Sequence, residues 1–411
     1  MRRGTVTNIG SMAGAERRIH VGVIGAGFAA SSHLDALSRL PEVEVAGLVG
    51  RSPERTRAAA DRLGIERVYP DLDGMLADPG VDAVHVCTPN DRHAQVTIAA
   101  LAAGKHVLSE KPLAMNAEQG RRLVAAARDA GTVVGVCFNY RHFPLVQEIR
   151  AEIGAGTHGP AHLVHGGYLQ DWLLHPDDWN WRLDPARAGA SRAIGDIGSH
   201  LIDTVEHVTG DRVVEVMADL GRLHQERVRP DGEIQTFAKT TAATTRYRVE
   251  TEDFGSMLVR SASGARGSFV VSQVSPGRKN HLWFEVDAAE ASFVWDQEEP
   301  NRLWIGRRDE ANRELIRDPA LLAPSAAPLA HYPGGHQEGW PDALRNLFAD
   351  FYGAVAAHRR GEPYEPTFAS FEEAHHVLQV VDAIVRSDRD RTWVAVDRAW
   401  STGSSDREVA S

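Results

Sequence analysis

Ile19 to Ile24 is a short apolar run, IHVGVI, that passes directly into Gly25-Ala26-Gly27-Phe28-Ala29-Ala30 and then into a helical pattern ending at Pro41. This strand–turn–helix stretch constrains the fold more than any other part of the chain. A G-x-G-x-x-A loop in that setting reads as the phosphate-binding turn of a dinucleotide domain. Gly25 permits the tight turn, and Gly27 leaves room for backbone to approach a pyrophosphate. Ala30 lets the helix lie close on the strand, and the first-turn amides of Phe28, Ala29 and Ala30 face the phosphates. The competing reading is an ordinary glycine-rich turn.

The units that follow repeat the alternation. Val43 to Val49 is a strand, 53–63 a helix closed by Gly64, and 71–77 a short helix. Ala83 to Cys87 is a strand and Asn90 to Ala103 a helix closed by Gly104. Lys105 to Asn116, KHVLSEKPLAMN, is a strand ending in Glu110, Lys111 and Pro112. Asn116 to Ala130 is a helix closed by Gly131, and Val133 to Cys137 a strand. Strands alternating with helices of this length predict a parallel, doubly wound sheet, here a Rossmann domain over residues 19–140. Ligands of such sheets sit outside the carboxyl ends of the strands. Thr88-Pro89-Asn90 and Glu110-Lys111-Pro112 both fall on that edge. Asn90 is the expected cap of its helix.

The end of the second strand bears on the cofactor. An acid that would bind the adenosine ribose of NAD is missing there; Gly50-Arg51-Ser52 stand in its place, with no acid before Glu54. Arg51 and Ser52 can accommodate a 2′-phosphate, which favours NADP slightly over NAD. The alternative is that Ser52-Pro53 simply starts the next helix.

A length of 411 residues allows two domains, and a net charge of −11 leaves no electrostatic footprint for nucleic acid. No apolar run approaches the roughly 20 residues of a membrane span. Residues 1–18 carry arginines but no apolar core of a signal peptide, and read as a disordered leader. Cys87 and Cys137 read as small buried hydrophobes, and a cytoplasmic location follows. Nineteen histidines notwithstanding, no set of ligands has metal-site spacing, so no metal is expected.

After Asn139-Tyr140-Arg141-His142 the composition changes. The stretch 168–184 holds Trp172, Trp179 and Trp181, three of the nine tryptophans, mixed with acids and arginines. Rings beside polar groups suit a sugar, whose C–H faces stack while its hydroxyls hydrogen-bond. Tyr168, Gln170, Asp171 and Trp181 are therefore substrate candidates. Asp196 and His200 are four residues apart in a predicted helix from Ala193 to Val208, stopped by Gly210, and would share a face. Residues 254–306 alternate as a meander of strands, an open, mostly antiparallel sheet whose uncovered face predicts a homodimer or homotetramer. His336, in a glycine-rich loop ahead of two helices (342–359 and 370–386), is a further pocket candidate. The second domain, an α+β unit, is expected over 141–390, with a tail at 391–411.

The G-x-G-x-x-A loop, Thr88-Pro89-Asn90 with His93 three residues on, and Glu110-Lys111-Pro112 together resemble the glucose–fructose oxidoreductase/inositol dehydrogenase/rhizopine catabolism family. The resemblance runs from about residue 19 to the C-terminal helices. It implies NAD(P) and a sugar or polyol substrate, with Thr88, Pro89, Asn90, His93 and Glu110 at the cofactor and Lys111 between cofactor and substrate. It also implies a cis Lys111–Pro112 bond, and it matches Arg182 to a residue approaching the cofactor and Asp196 and His200 to catalytic positions. Oxidation of a secondary hydroxyl then needs a base, assigned to His200, with Asp196 holding the hydroxyl or orienting the imidazole and Lys111 stabilising alkoxide charge. Which of Lys111 and His200 moves the proton is left open. The alternatives are a glycosidase of the same fold that oxidises its sugar transiently, and a nucleotide-binding regulator without turnover.

Overall fold

The computed structural model describes residues 17–230 and 244–397. The expected leader lies outside these residues except for Arg17 and Arg18, as does the tail beyond Asp397. Strands β1 (Ile19–Ile24), β2 (Val43–Val49), β3 (Ala83–Val86), β4 (His106–Ser109) and β5 (Val134–Val136) form a parallel sheet in the order β2-β1-β3-β4-β5. In β3 and β4 every residue is buried. Such unbroken burial belongs to parallel strands covered on both faces.

Helices α1 (Phe28–Leu37), α2 (Pro53–Leu63), α3 (Leu72–Leu76), α4 (Asn90–Ala102) and α5 (Ala117–Ala130) alternate with these strands. Their ends are written locally. Asn116 Oδ1 accepts from the Gln119 amide at 3.0 Å to start α5, a contribution of about 1 kcal/mol for such caps. Gly131, at φ 62°, ends it in the left-handed conformation that glycine adopts without strain. The order of strands reverses between β1 and β3, so the crevice for a ligand opens above those two strand ends.

Beyond α6 (Pro144–Gly154), strand β6 (Ala161–Leu169), the short helix α7 (Pro185–Ala188) and helix α8 (Ser199–Thr209) lead into the strands of the second half. These are β7 (Val213–Gly221), β8 (Glu226–Pro230), β9 (Thr244–Arg248), β10 (Phe254–Ser261), β11 (Arg266–Ser272), β12 (His281–Ala288), β13 (Ser292–Asp296), β14 (Arg302–Gly306) and β15 (Arg313–Ile316). Helices α9 (Trp340–Arg360) and α10 (Phe371–Asp390) and strand β16 (Val394–Ala395) close the described chain. The larger sheet has nine strands in the order β15-β14-β13-β12-β6-β11-β10-β7-β16. Among the described residues, β6 and β11 pair in parallel and the other neighbours in this sheet pair antiparallel. One face buries Val164, Phe269, Phe284 and Trp295, while Leu258, Val270 and Trp304 on the other are exposed.

Two differences from the sequence reading concern boundaries. Helix α9 lies in the second half of the chain, yet Leu344, Leu347, Phe348 and Val355 share one core with Val21, Val23 and Leu34 of the nucleotide-binding half. Amphipathic spacing says that a helix buries a stripe, not which sheet receives it. The residues expected as a tail begin instead with β16, which pairs with β7 at the sheet edge.

The predicted helix from Ala193 also changes character. Ile194–Gly198 forms one π-helical turn before α8 begins, and Gly210 at φ 67° ends the helix. A π turn runs its hydrogen bonds to the fifth residue and so shifts the face on which an i, i+4 pair would meet.

Candidate active site

The site is assembled at the carboxyl edge of the parallel sheet. Gly25 takes φ 124°, and a Cβ there would stand 2.4 Å from the Cys87 carbonyl oxygen, so β1 and β3 approach too closely for a side chain. Gly27 is the N-cap of α1, and a Cβ at Gly27 would meet nothing within 4 Å. The turn is open on the side where a pyrophosphate would lie. Thr88 Oγ1, across the crevice, is buried without a hydrogen-bond partner among the described residues. An open cradle and an unsatisfied hydroxyl fit a dinucleotide.

Asn90 and His93 make protein contacts on this edge, and one expected role, the capping of α4, falls elsewhere. Asn90 is not the cap of α4: Pro89 holds that position, and the Asn90 amide group donates to the Ala188 carbonyl at 3.1 Å, tying the two halves together. His93 is buried and bridges the Thr88 and Pro112 carbonyls, each 2.8 Å from a ring nitrogen. It fixes the spacing of the two turns. Burial pushes its pKa down while both carbonyls pull it up.

The Lys111–Pro112 peptide is cis. Lys111 Nζ donates to Asp196 Oδ1 at 2.8 Å and to the Asp196 carbonyl at 2.9 Å. Arg182 Nε donates to the same Oδ1 at 3.0 Å, and Gln273 Nε2 to Oδ2 at 3.0 Å. Burial pushes the Asp196 carboxyl up, but the Arg182 and Lys111 cations outweigh it and hold it well below the usual carboxylate range. Glu110 accepts from the Lys111 amide at 3.1 Å and lies 3.0 Å from His33 Nε2. Burial opposes its ionisation, yet the His33 contact and the Lys111 charge bring its pKa to about 2.

His200 is buried, with its ring edge-on to Tyr140 at 4.8 Å and to Phe138 at 5.5 Å. Burial first, and the Lys111 charge second, push its pKa well below the ordinary value, so the imidazole is neutral. Its Nδ1 is buried without a hydrogen-bond partner among the described residues. Among these residues no hydrogen bond joins Asp196 to His200. The carboxylate faces Lys111, Arg182 and Gln273 because the π turn re-aims it, so Asp196 does not orient the imidazole.

Beside His200 stands a polar cluster. The Tyr140 and Tyr168 hydroxyls are 2.7 Å apart, Tyr168 donates to Asn280 Oδ1 at 2.6 Å, and Asn280 Nδ2 donates to Tyr140 at 3.0 Å. Gln170 joins it at 2.9 Å from Asn280, and Trp172 Nε1 donates to Gln170 Oε1 at 2.7 Å. Gln273, Asn280, Tyr140 and His33 were not singled out from sequence. Gln273 and Asn280 sit just outside strands β11 and β12, and only the strand pairing brings them to Asp196 and Tyr168.

Other expected residues lie apart from the cluster. Asp171 pairs with the exposed Lys279 at 2.6 Å and accepts from the Gly277 amide. The Trp181 ring carries the Arg182 guanidinium 4.6 Å from its centroid. His336 is exposed and faces the Pro333 carbonyl at 3.2 Å, and among the described residues no contact joins its ring to Lys111 or His200. Arg51 is exposed, and Ser52 caps α2 through the Arg55 amide.

Two groups bring potential metal ligands within 4.8 Å of one another: His33, Glu110 and Cys137, and His165, Glu285 and Asp287. In the first, His33 and Glu110 are already hydrogen-bonded to each other. The second lies on the open sheet face, where His165 and Glu285 pair across strands at 3.4 Å.

Residues 19–138 match the model described as "Oxidoreductase family, NAD-binding Rossmann fold", and residues 146–294 match the GFO/IDH/MocA C-terminal domain. The chain belongs to the Gfo/Idh/MocA family. It is an NAD-binding oxidoreductase. Among Gfo/Idh/MocA relatives, levoglucosan dehydrogenase of Pseudarthrobacter phenanthrenivorans is 31% identical over 401 residues, 92% of this chain and 98% of the relative. The solved levoglucosan dehydrogenase in complex with NADH and levoglucosan has a TM-score of 0.80 at 30% identity, covering 92% of this chain and 99% of that one. An oxidoreductase domain protein from Kribbella flavida has a TM-score of 0.82 at 31% identity, covering 93% of this chain and 100% of that one. No helix among the described residues is long and apolar enough to cross a membrane.

Proposed function

We propose that this oxidoreductase transfers a hydride between a secondary hydroxyl of a sugar, polyol or glycoside and NAD(P). One observation carries the reading. A neutral, buried His200 with an unsatisfied Nδ1 stands among tyrosines and amides, within the electrostatic reach of an ammonium, Lys111, held by Asp196. The bound nicotinamide supplies the hydride acceptor. His200 takes the hydroxyl proton as hydride leaves the adjoining carbon, and Lys111 stabilises the negative charge that develops on the oxygen. Asp196 keeps the ammonium in place. Tyr168 and Gln170, with Tyr140 and Asn280, present donors and acceptors suited to the remaining hydroxyls. The similarity to a levoglucosan dehydrogenase over nearly the whole chain supports a small cyclic sugar.

At the adenosine end we favour NADP slightly. Arg51 and Ser52 carry that preference: Ser52 Oγ accepts from the Arg55 amide as the cap of α2, and its O–H remains able to donate to a phosphate oxygen. The two free, buried thiols of Cys87 and Cys137 suit the cytoplasm. The exposed apolar residues Leu258, Val270 and Trp304 support a homodimer or homotetramer through the open sheet face.

The deciding experiment is a panel of sugars, polyols and glycosides with NAD⁺ and with NADP⁺, read at the nicotinamide absorbance. Accumulating reduced cofactor is expected with at least one sugar. Glycoside cleavage without free reduced cofactor would replace this reading with the glycosidase one.

A further inference from the structure

A chain of buried polar groups runs from helix α9 to the active-site edge and takes no part in the reaction as described. The Tyr352 hydroxyl lies 2.6 Å from His85 Nε2, His85 Nδ1 lies 2.8 Å from His33 Nδ1, and His33 Nε2 lies 3.0 Å from Glu110 Oε1. The four residues come from α9, β3, α1 and the end of β4. We propose that Tyr352, His85 and His33 are positioning residues for Glu110: a one-way chain of hydrogen bonds, donated inward from α9, that holds its carboxylate as an acceptor beside Lys111.

The direction follows from counting protons. An ionised carboxylate only accepts, and the other oxygen of Glu110 already accepts from the Lys111 amide. His33 Nε2 must therefore carry hydrogen, which leaves Nδ1 bare in a neutral ring. His85 must then donate from Nδ1, its own Nε2 is bare, and Tyr352 donates to it. Burial, and after it the neighbouring His33, push the His85 pKa well below its ordinary value.

The surroundings agree. The Phe348 ring stands edge-on to His33 at 4.8 Å and to His85 at 4.7 Å, and Tyr352 stacks on His85 at 5.9 Å. Cys87 Sγ is 3.3 Å from His33 Nδ1 and Cys137 Sγ 3.7 Å from Nε2. Burial pushes both thiols up, so neither adds a charge. The titratable groups facing Glu110 are His33, Lys111 and His200, and His93 in turn feels Glu110. The chain is not a proton wire: Tyr352 is 1% exposed, and burial pushes its phenol pKa well above the ordinary value, so a proton passed outward would have nowhere to go.

Protonating Glu110 on Oε1, the oxygen facing His33, would require both rings to change tautomer together and turn His85 Nε2–H onto the Tyr352 oxygen, displacing the phenol hydrogen in a buried site. The Tyr352 hydroxyl thus resists the acid form of Glu110 from two residues away. This consequence for turnover rests on the proposed dehydrogenase reading; the tautomers themselves do not.

The test has two parts. Tyr352→Phe should keep kcat/KM within about threefold of wild type near pH 8, with the acid limb of the profile moved up by about one pH unit, roughly a tenfold loss at the foot of that limb. Tyr364→Phe, which removes a hydroxyl bonded to Asp350 outside the chain, should leave the profile unmoved. A Tyr352→Phe profile identical to wild type, or lowered equally at every pH, would overturn the proposal. Should that variant not fold, or no substrate be found, ¹⁵N-histidine spectra of the wild-type protein decide, with His33→Gln and His85→Gln used for assignment. His85 is expected as the Nδ1–H tautomer and His33 as the Nε2–H tautomer; the reverse pattern overturns the chain.

Discussion

Lys111 and Asp196 meet at 2.8 Å, although one ends a strand of the nucleotide-binding sheet and the other lies in a π turn of the second half. The contact is doubled, since Lys111 also reaches the Asp196 backbone carbonyl at 2.9 Å. It is also largely shielded, with side-chain exposures of 11% and 12%. Removing one partner from such a pair leaves the other charge uncompensated, which costs more than the pair itself contributes.

Asp196→Asn should therefore leave Lys111 without its anionic anchor and lower kcat by about two orders of magnitude or more, the scale of a misplaced charge-stabilising group. Cofactor affinity should change little. Near-wild-type kcat in this variant would show that the Lys111–Asp196 pair joins the two halves and does nothing for the chemistry.

His200→Ala should lower kcat by about two to four orders of magnitude, the usual contribution of a positioned acid–base group. Lys111→Ala should be comparably damaging, and the double variant less than additive, because one interrupted proton path is not interrupted twice. Turnover by His200→Ala close to wild type would leave Lys111 as the proton-transfer group.

The two loop glycines should fail differently. At Gly25 a Cβ would stand 2.4 Å from the Cys87 carbonyl oxygen, so Gly25→Ala is expected to lower thermal stability. At Gly27 a Cβ meets nothing within 4 Å, so Gly27→Val should fold normally and lose cofactor affinity by filling pyrophosphate space. Calorimetry with NAD⁺ and NADP⁺ beside a melting curve separates the two; undiminished cofactor binding by Gly27→Val would remove the loop from the site.

Arg51→Ala should weaken NADP(H) by about 1–3 kcal/mol, the scale of a lost charged hydrogen bond, and leave NAD(H) nearly unchanged. A wild-type enzyme that already binds NAD(H) more tightly would make Arg51 a solvated residue at the start of α2.

Acid should destabilise the fold in two stages. His85 and His200 are held neutral by burial, with folded pKa values well below 6.5. The unfolded chain takes up those protons first, so stability falls as pH drops below about 6.5. Glu110, at about 2 in the folded protein, contributes stability that is complete above its unfolded value of about 4.3 and is lost as pH falls towards 2. Urea midpoints from about pH 8 down to about pH 2 test this; a flat profile would mean that these groups are not buried in solution as they are here.

Much of the nucleotide-binding half was legible because its signals are local. The G-x-G-x-x-A loop, the helix-closing Gly64 and Gly131 and the Asn116 cap act within a few residues of themselves, so the string of amino acids already contains both partners. Lys111 and Glu110 could be placed at a ligand edge for the same reason: a strand end in a parallel sheet faces the crevice whatever else the chain does. What Asp196 and His200 touch could not be read so. A five-residue π turn, Ile194–Gly198, separates their faces, and Gln273, Arg182 and Lys111 reach Asp196 only after β11 has paired and the two halves have closed. The His33–His85–Tyr352 chain lies furthest beyond sequence. Its members are separated by 52 and 267 positions, and only the packing of α9 across the first sheet brings that tyrosine to those histidines. Spacing along a chain determines which face a residue presents; the closure of long loops, decided by where apolar stripes find cover, determines what stands opposite.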